Sequence, residues 1–333
     1  MLHTIKKEKF SRKTIYLLAQ MERMSVDVLS NFYSIAGFTP GIRSWLSFFS
    51  KFALSLGVLF IVSGIIFFFA YNWHDLHRFA KLVIVSFLLI SSAAITLFSD
   101  LQKLHAKLSL VAAAFFTGCL LAVFGQIYQT GANAYDLFLN WAILITGIVL
   151  ISNFKPLWFL WLVLINTSIV LFAGQLLRNW INPYAIISLS VVNATALYIY
   201  EYSFLKKKIL FESRWLPRIL GFAVVTSLTI AGITGILSDF DKSGYLICLL
   251  LSFISYAGII FFYSRKIYDL STIAASFVCI SAVIFSAFIK AIRYDAAVIF
   301  IIGGFLIIGL TVSSVFILMH INESWKRKIY EKP

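Results

Sequence analysis

The sequence predicts an all-α, polytopic integral membrane bundle of about ten transmembrane helices with both termini cytoplasmic, and three observations carry that prediction. Hydrophobic residues make up 61% of the 333-residue chain and charged residues only 13%, too little polar surface to cover a soluble globule of this size. Apolar runs near twenty residues recur along the chain, each about long enough to cross a hydrocarbon core roughly 30 Å thick. The mean hydropathy of +0.92 suits continuous helical spans and not alternating porin strands. A soluble enzyme and a secreted domain are thereby excluded.

Three segments are expected: a cytoplasmic helical segment over 1–50, a bundle over 51–319 and a basic cytoplasmic tail over 320–333. The chain through Lys51 carries eight Lys and Arg, a leader too long for a signal peptide, so no cleavage is expected. Within it Ser11 to Ala36 is helix-prone, with Met24-Ser25 dividing it into two short helices. Thr39-Pro40 is an N-cap and N1 pair for a helix over 40–50 carrying Ile42, Trp45, Leu46 and Phe49 on one face. That helix either lies on the inner leaflet or forms the extended base of the first span.

The ten spans are placed at 52–71, 80–98, 108–126, 137–151, 156–174, 184–200, 218–237, 244–263, 271–289 and 296–319. An even number puts both termini on one side. That side holds 22 of the 28 Lys and Arg, so both termini are expected to be cytoplasmic. The formal charge of +14 then divides as +13 inside and +1 outside. The implied partner is anionic lipid at the cytoplasmic face. No soluble basic face interleaved with aromatics exists for nucleic acid.

Cys119, Cys248 and Cys279 all fall within apolar runs and read as small core residues. Small residues four apart, at Ala114, Gly118 and Ala122 in the third span and at Ser227, Ala231 and Gly235 in the seventh, read as packing faces. Asn166 and Asn193 lie mid-span in the consecutive fifth and sixth helices. An interhelical amide hydrogen bond is expected between them, and a place in a substrate path is the alternative. Their sequons are too deep in the membrane for glycosylation. His74-Asp75-Leu76-His77 supplies two imidazoles and a carboxylate but lacks further ligands of the right type nearby, so no metal site is assigned. No Ser-His-Asp grouping, HExxH, P-loop or GxGxxG accompanies a span, and no charge is placed deep in one; neither an enzyme nor an ion-coupled pump is expected, and no cofactor.

The most polar stretch beside the membrane runs from Gly125 to Asp136, between the third and fourth spans. Gln126, Tyr128, Gln129, Asn133, Tyr135, Asp136 and Asn140 are the candidate ligand-binding residues. They would form an outward-facing recess next to a short, Gly-flanked span, of the kind where membrane proteins place binding groups. The alternative is an ordinary outer turn with its aromatics at headgroup level. Asn-Trp occurs three times, at Asn72-Trp73, Asn140-Trp141 and Asn179-Trp180. Interfacial anchoring and helix capping explain each pair singly but not the recurrence.

Two motifs carry a family resemblance. Gly57, Gly64, the Phe-Phe-Phe-Ala-Tyr run, Asn72-Trp73 and Arg78-Phe79-Ala80-Lys81-Leu82, followed by GQIYQTGANAYDLFLNW at 125–141, resemble the bacterial membrane proteins grouped as domain of unknown function 2157. The match covers about residues 50–152, and His77 stands where the family often has proline. The resemblance implies a multi-pass protein of a bacterial inner membrane with a cytoplasmic N-terminal segment, and it carries over no catalytic residues. Two functions compete. One is binding or transport of a small polar, cationic or zwitterionic solute or lipid headgroup at the outer recess. The other is a non-transporting scaffold or regulator acting through the N-terminal segment.

Overall fold

The computed structural model describes residues 27–28, 41–71, 77–129, 131–206, 214–240, 243–292 and 296–330. Among them are ten helices long and apolar enough to cross a membrane. In chain order they are α1 (Ile42–Tyr71), α2 (Arg78–Leu97), α3 (Leu104–Tyr128), α4 (Ala134–Ser152) and α5 (Lys155–Gln175). They continue with α6 (Pro183–Leu205), α7 (Trp215–Leu237), α8 (Ser243–Phe262), α9 (Leu270–Ala291) and α10 (Ala296–Tyr330). Of the expected helices of Ser11–Ala36 only Asp27 and Val28 are described, and both are helical; the Asn72-Trp73 pair, His74, Asp75 and Lys207-Lys208 lie outside the described residues.

Helix ends differ from the hydropathy-based spans where polar chemistry extends a helix. The fourth span, read as fifteen residues, is a nineteen-residue helix. Its extra turn, Ala134-Tyr135-Asp136, is invisible to hydropathy because the Asp136 carboxylate serves as a cap: it accepts the Asn133 backbone N–H at 3.2 Å. Residues 42–50 and the first span form one unbroken helix. At the other terminus α10 passes through residue 320 and runs to Tyr330.

The chain divides into two compact units, Met1–Phe116 and Thr117–Pro333. In the first, the start of α3 is seated by small residues, with Ala106, Ala113 and Ala114 fully buried. Ser109 donates to the Ser92 carbonyl on α2 at 2.5 Å. The large apolar residues of α1, including Phe48, Phe60 and Phe67, are exposed on the protein, as a lipid-facing helix requires.

In the second unit α7 is the hub, packed against α6, α8 and α9. Buried residues recur along its whole length, from Leu216 to Ile236. The small-residue face expected in this helix is such a packing face. Ser227 shares a 2.7 Å hydrogen bond with Ser190 of α6, and Ala231 is fully buried. A Cβ on Gly235 would lie 2.6 Å from the Tyr245 Cβ of α8, so only glycine permits that approach. Thr229 bonds Tyr256 across the same seam. Asn166 and Asn193 exchange two hydrogen bonds, both 3.0 Å, as a cyclic amide pair joining α5 and α6. Asn193 also donates to the Leu189 carbonyl at 2.9 Å, which satisfies the second amide proton of a side chain that is 1% exposed.

Candidate functional site

The turn between α3 and α4 is built from residues able to leave the helical region. Gln129 has φ 42° and Gly131 φ 66°, which ends α3 and turns the chain, and Asn133 then opens α4 from an extended conformation. Once the helix starts at Ala134, its period decides which side chains face the same way. Asn133, Leu137, Asn140 and Leu144 fall on one face, and Ala122, Gln126 and Gln129 on the corresponding face of the α3 end. These residues line one groove of about 780 Å³, which continues along Leu121, Phe124 and Ile143.

Of the seven candidate residues the structure therefore brings four carboxamides together: Gln126, Gln129, Asn133 and Asn140. The other three turn to different faces. Tyr128 is half exposed, with its ring 4.6 Å from that of Phe124. Tyr135 packs edge-on against Phe172 at 5.3 Å, while its carbonyl accepts Ser168 Oγ at 3.0 Å. Asp136 holds the cap described above. The sequence contained part of the sorting rule, since spacing from Asn133 selects Asn140 and rejects Tyr135, whereas Asp136, three residues on, is set apart by its cap hydrogen bond. What it lacked was the true start of α4.

The recurrence of Asn-Trp acquires a physical account at the two described sites. The Trp141 ring occupies the place of a side chain on Gly118, where a Cβ would lie 2.4 Å away, and the Trp180 ring does the same on Gly174. In each case tryptophan fills a notch left by a glycine, across from α4 to α3 at Gly118 and back onto the end of the preceding helix α5 at Gly174, and the preceding asparagine serves the polar side. Asn140 lines the groove. Asn179 accepts the Ile181 N–H at 3.0 Å and donates to Tyr245 Oη at 3.3 Å.

A second polar constellation was not anticipated. At the opposite end of α4 from the groove lies the end of the bundle where α6 finishes and α7 begins. Here Arg214 binds Glu201 end-on, with Nη2 to Oε1 at 2.6 Å and Nη1 to Oε2 at 3.2 Å. Its Nε donates to Asp269 at 3.2 Å, Arg218 Nε donates to the same oxygen at 2.9 Å, and Tyr263 Oη donates to Glu201 at 2.6 Å. Glu201 and Asp269 are 3% and 4% exposed. Burial alone would raise the Asp269 carboxyl, but the hydrogen bonds from Ser271, Arg218 and Arg214 outweigh it and hold the group below its ordinary value. Burial likewise opposes the charge on Arg214, and Glu201 and Asp269 reverse the effect. The network clamps α6, α7, the π-helical turn Tyr263–Ile267 and the start of α9. Glu201 stands one turn inside its helix end, where hydropathy alone ends the span.

No group of three or more His, Cys, Asp or Glu able to hold a metal occurs among the described residues. His77 caps α2, accepting the Phe79 N–H at 3.4 Å.

The family model described as Predicted membrane protein (DUF2157) matches residues 19–158. That stretch contains the resemblance motifs, both walls of the groove and the Gly118–Trp141 seat. No curated protein and no solved structure matches the chain.

Proposed function

We propose that this multi-pass membrane protein binds, and in a transport cycle would move, a small polar solute or lipid headgroup of neutral, zwitterionic or cationic character at the groove between α3 and α4. The supporting observation is the convergence of four carboxamides on one cavity whose remaining wall is apolar. Amides offer both donors and acceptors without charge, so they suit neutral and zwitterionic groups, while Asp136 nearby disfavours anions. The apolar wall of Leu121, Phe124, Ile143 and Leu144 extends from the polar mouth and suits the body of an amphiphile.

The reading places the groove outside and both termini inside a bacterial inner membrane, on the distribution of Lys and Arg. It assigns no chemistry to the groove, because amides without a nucleophile, base or electrophile give no catalytic constellation. The purified full chain should be challenged in a thermal-shift series with glycine betaine, phosphocholine, choline and citrate. A zwitterionic or cationic probe should raise the melting temperature and citrate should not, and Asn133→Leu with Asn140→Leu should abolish the rise. Equal response to all four probes, or a rise that survives in the double variant, would count against the groove as a binding site.

A further inference from the structure

We propose that the occupant of the groove between α3 and α4 is a membrane lipid with ester-linked chains, admitted sideways from the bilayer, whose ester carbonyl accepts a hydrogen bond from Asn140. The inference rests on the groove being the binding site, and it narrows the ligand from any small polar group to a lipid. It starts from a contrast among the amides of the spans. Asn166 and Asn193, mid-span, exchange two hydrogen bonds of 3.0 Å and need no acceptor from outside the protein. Among the described residues the side chain of Asn140 makes no such bond. Yet it lies seven residues beyond the cap Asn133, about 10 Å along α4.

The surroundings of Asn140 are apolar. Ile143 and Leu144, one turn further along α4, are both more than half exposed, and Phe124 on α3 is nearly so. A carboxamide without a partner beside hydrocarbon is costly, and acyl chains offer it no acceptor. The acceptors that a bilayer does supply beneath its headgroups are the ester carbonyls joining the chains to glycerol. Donation from the Asn140 amide to one of them satisfies the side chain where no protein group does.

The other three amides stand above it. Gln129 lies just past the end of α3 and Asn133 just before the start of α4, so both flank the turn. Gln126 sits three residues below Gln129, about 4.5 Å along α3. The groove thus offers hydrogen-bonding side chains over roughly its first 10 Å, and beyond them its lining is apolar, with Leu121, Ile143 and Leu144. Head, ester and chain follow one another in the same order in a lipid. A water-soluble molecule of headgroup size would engage the upper amides and leave Asn140 and the apolar wall unmatched.

Calorimetric titration of the full chain in amphipol tests this, with phosphocholine, dihexanoyl phosphatidylcholine and its dihexyl ether analogue as monomeric probes. The diester should bind at least about tenfold more tightly than phosphocholine, the effect of roughly two fully buried methylene groups. It should also exceed the diether, which has the same headgroup and no ester carbonyl, by roughly two- to tenfold, the range of one net hydrogen bond. Asn140→Leu should cancel that preference. Because ester and ether are compared on the unaltered chain, the contact is read even should the variant fail to fold. Equal binding of diester and diether by the unaltered chain, or an ester preference that persists in folded Asn140→Leu, overturns the contact. Phosphocholine bound as tightly as the diester overturns the lipid class and leaves the groove as a solute site, whereas no binding of any of the three overturns both.

Discussion

Removing Arg214 would leave Glu201 and Asp269 buried with too few donors, and stranded charge is the costly case. Arg214→Met is expected to destabilise the protein by about 3–5 kcal/mol. The double variant Arg214→Met with Glu201→Gln should recover part of that loss, because it removes the stranded carboxylate. Denaturation of the purified variants checks the order. Asp269 adds a pH dependence whose sign follows from its depressed folded-state pKa. The stabilisation is complete above the unfolded carboxyl value of about 3.9 and is lost as the pH falls through it toward the folded value. The melting temperature should therefore drop on acidification below about pH 4, with a shallower slope in Asp269→Asn. Asp136 is a different kind of carboxylate, since its oxygen closes the first turn of α4. Its neighbours in the sequence made it look like a ligand group, and only the cap geometry shows that it also defines where the helix begins.

At the scale of elements, a glycine notch filled by a tryptophan ring holds α4 to α3 in the second unit, and a second folds the turn after α5 back onto that helix. Gly118→Ala would place a methyl group where the Trp141 ring now sits, and displacing that ring is expected to cost about 1–3 kcal/mol. A double-mutant cycle with Trp141→Leu should show strong coupling, the smaller side chain making room for the new methyl. Additive effects at 118 and 141 would mean that the ring contact does not carry the packing. The small-residue stripes thus divide into two uses. On α7 they admit another helix closely, as at Gly235 against Tyr245, whereas at Gly118 the gap admits a ring. Periodicity identifies both stripes equally well, because it records the absence of a side chain and not what fills the space.

For the whole molecule, the positive-inside division makes orientation a testable property. In a background with Cys119, Cys248 and Cys279 replaced, a cysteine at position 133 should react with an impermeant thiol reagent added to intact cells. One at position 206 should react only after permeabilisation. The reverse pattern would invert the protein and place the amide groove inside. The same labelling locates the Glu201–Arg214–Asp269 clamp, because it shares the end of the bundle that bears Lys206.

The number, order and class of the helices were determined by the sequence itself, because a polypeptide in hydrocarbon must satisfy its backbone internally and twenty apolar residues do so only as a helix. The Asn166–Asn193 pair was legible for the same reason: a lone amide in that medium needs a partner, and consecutive antiparallel helices supply one at equal depth. Four of the seven groove residues were also implicit in the helical period. Only the tertiary structure decided which polar residues converge. Glu201, Arg214, Arg218, Tyr263 and Asp269 come from four separate stretches of chain, and nothing local marks them as partners. Hydropathy acts residue by residue along a helix, whereas the pairing of charges depends on which helix ends meet, and that is settled by packing.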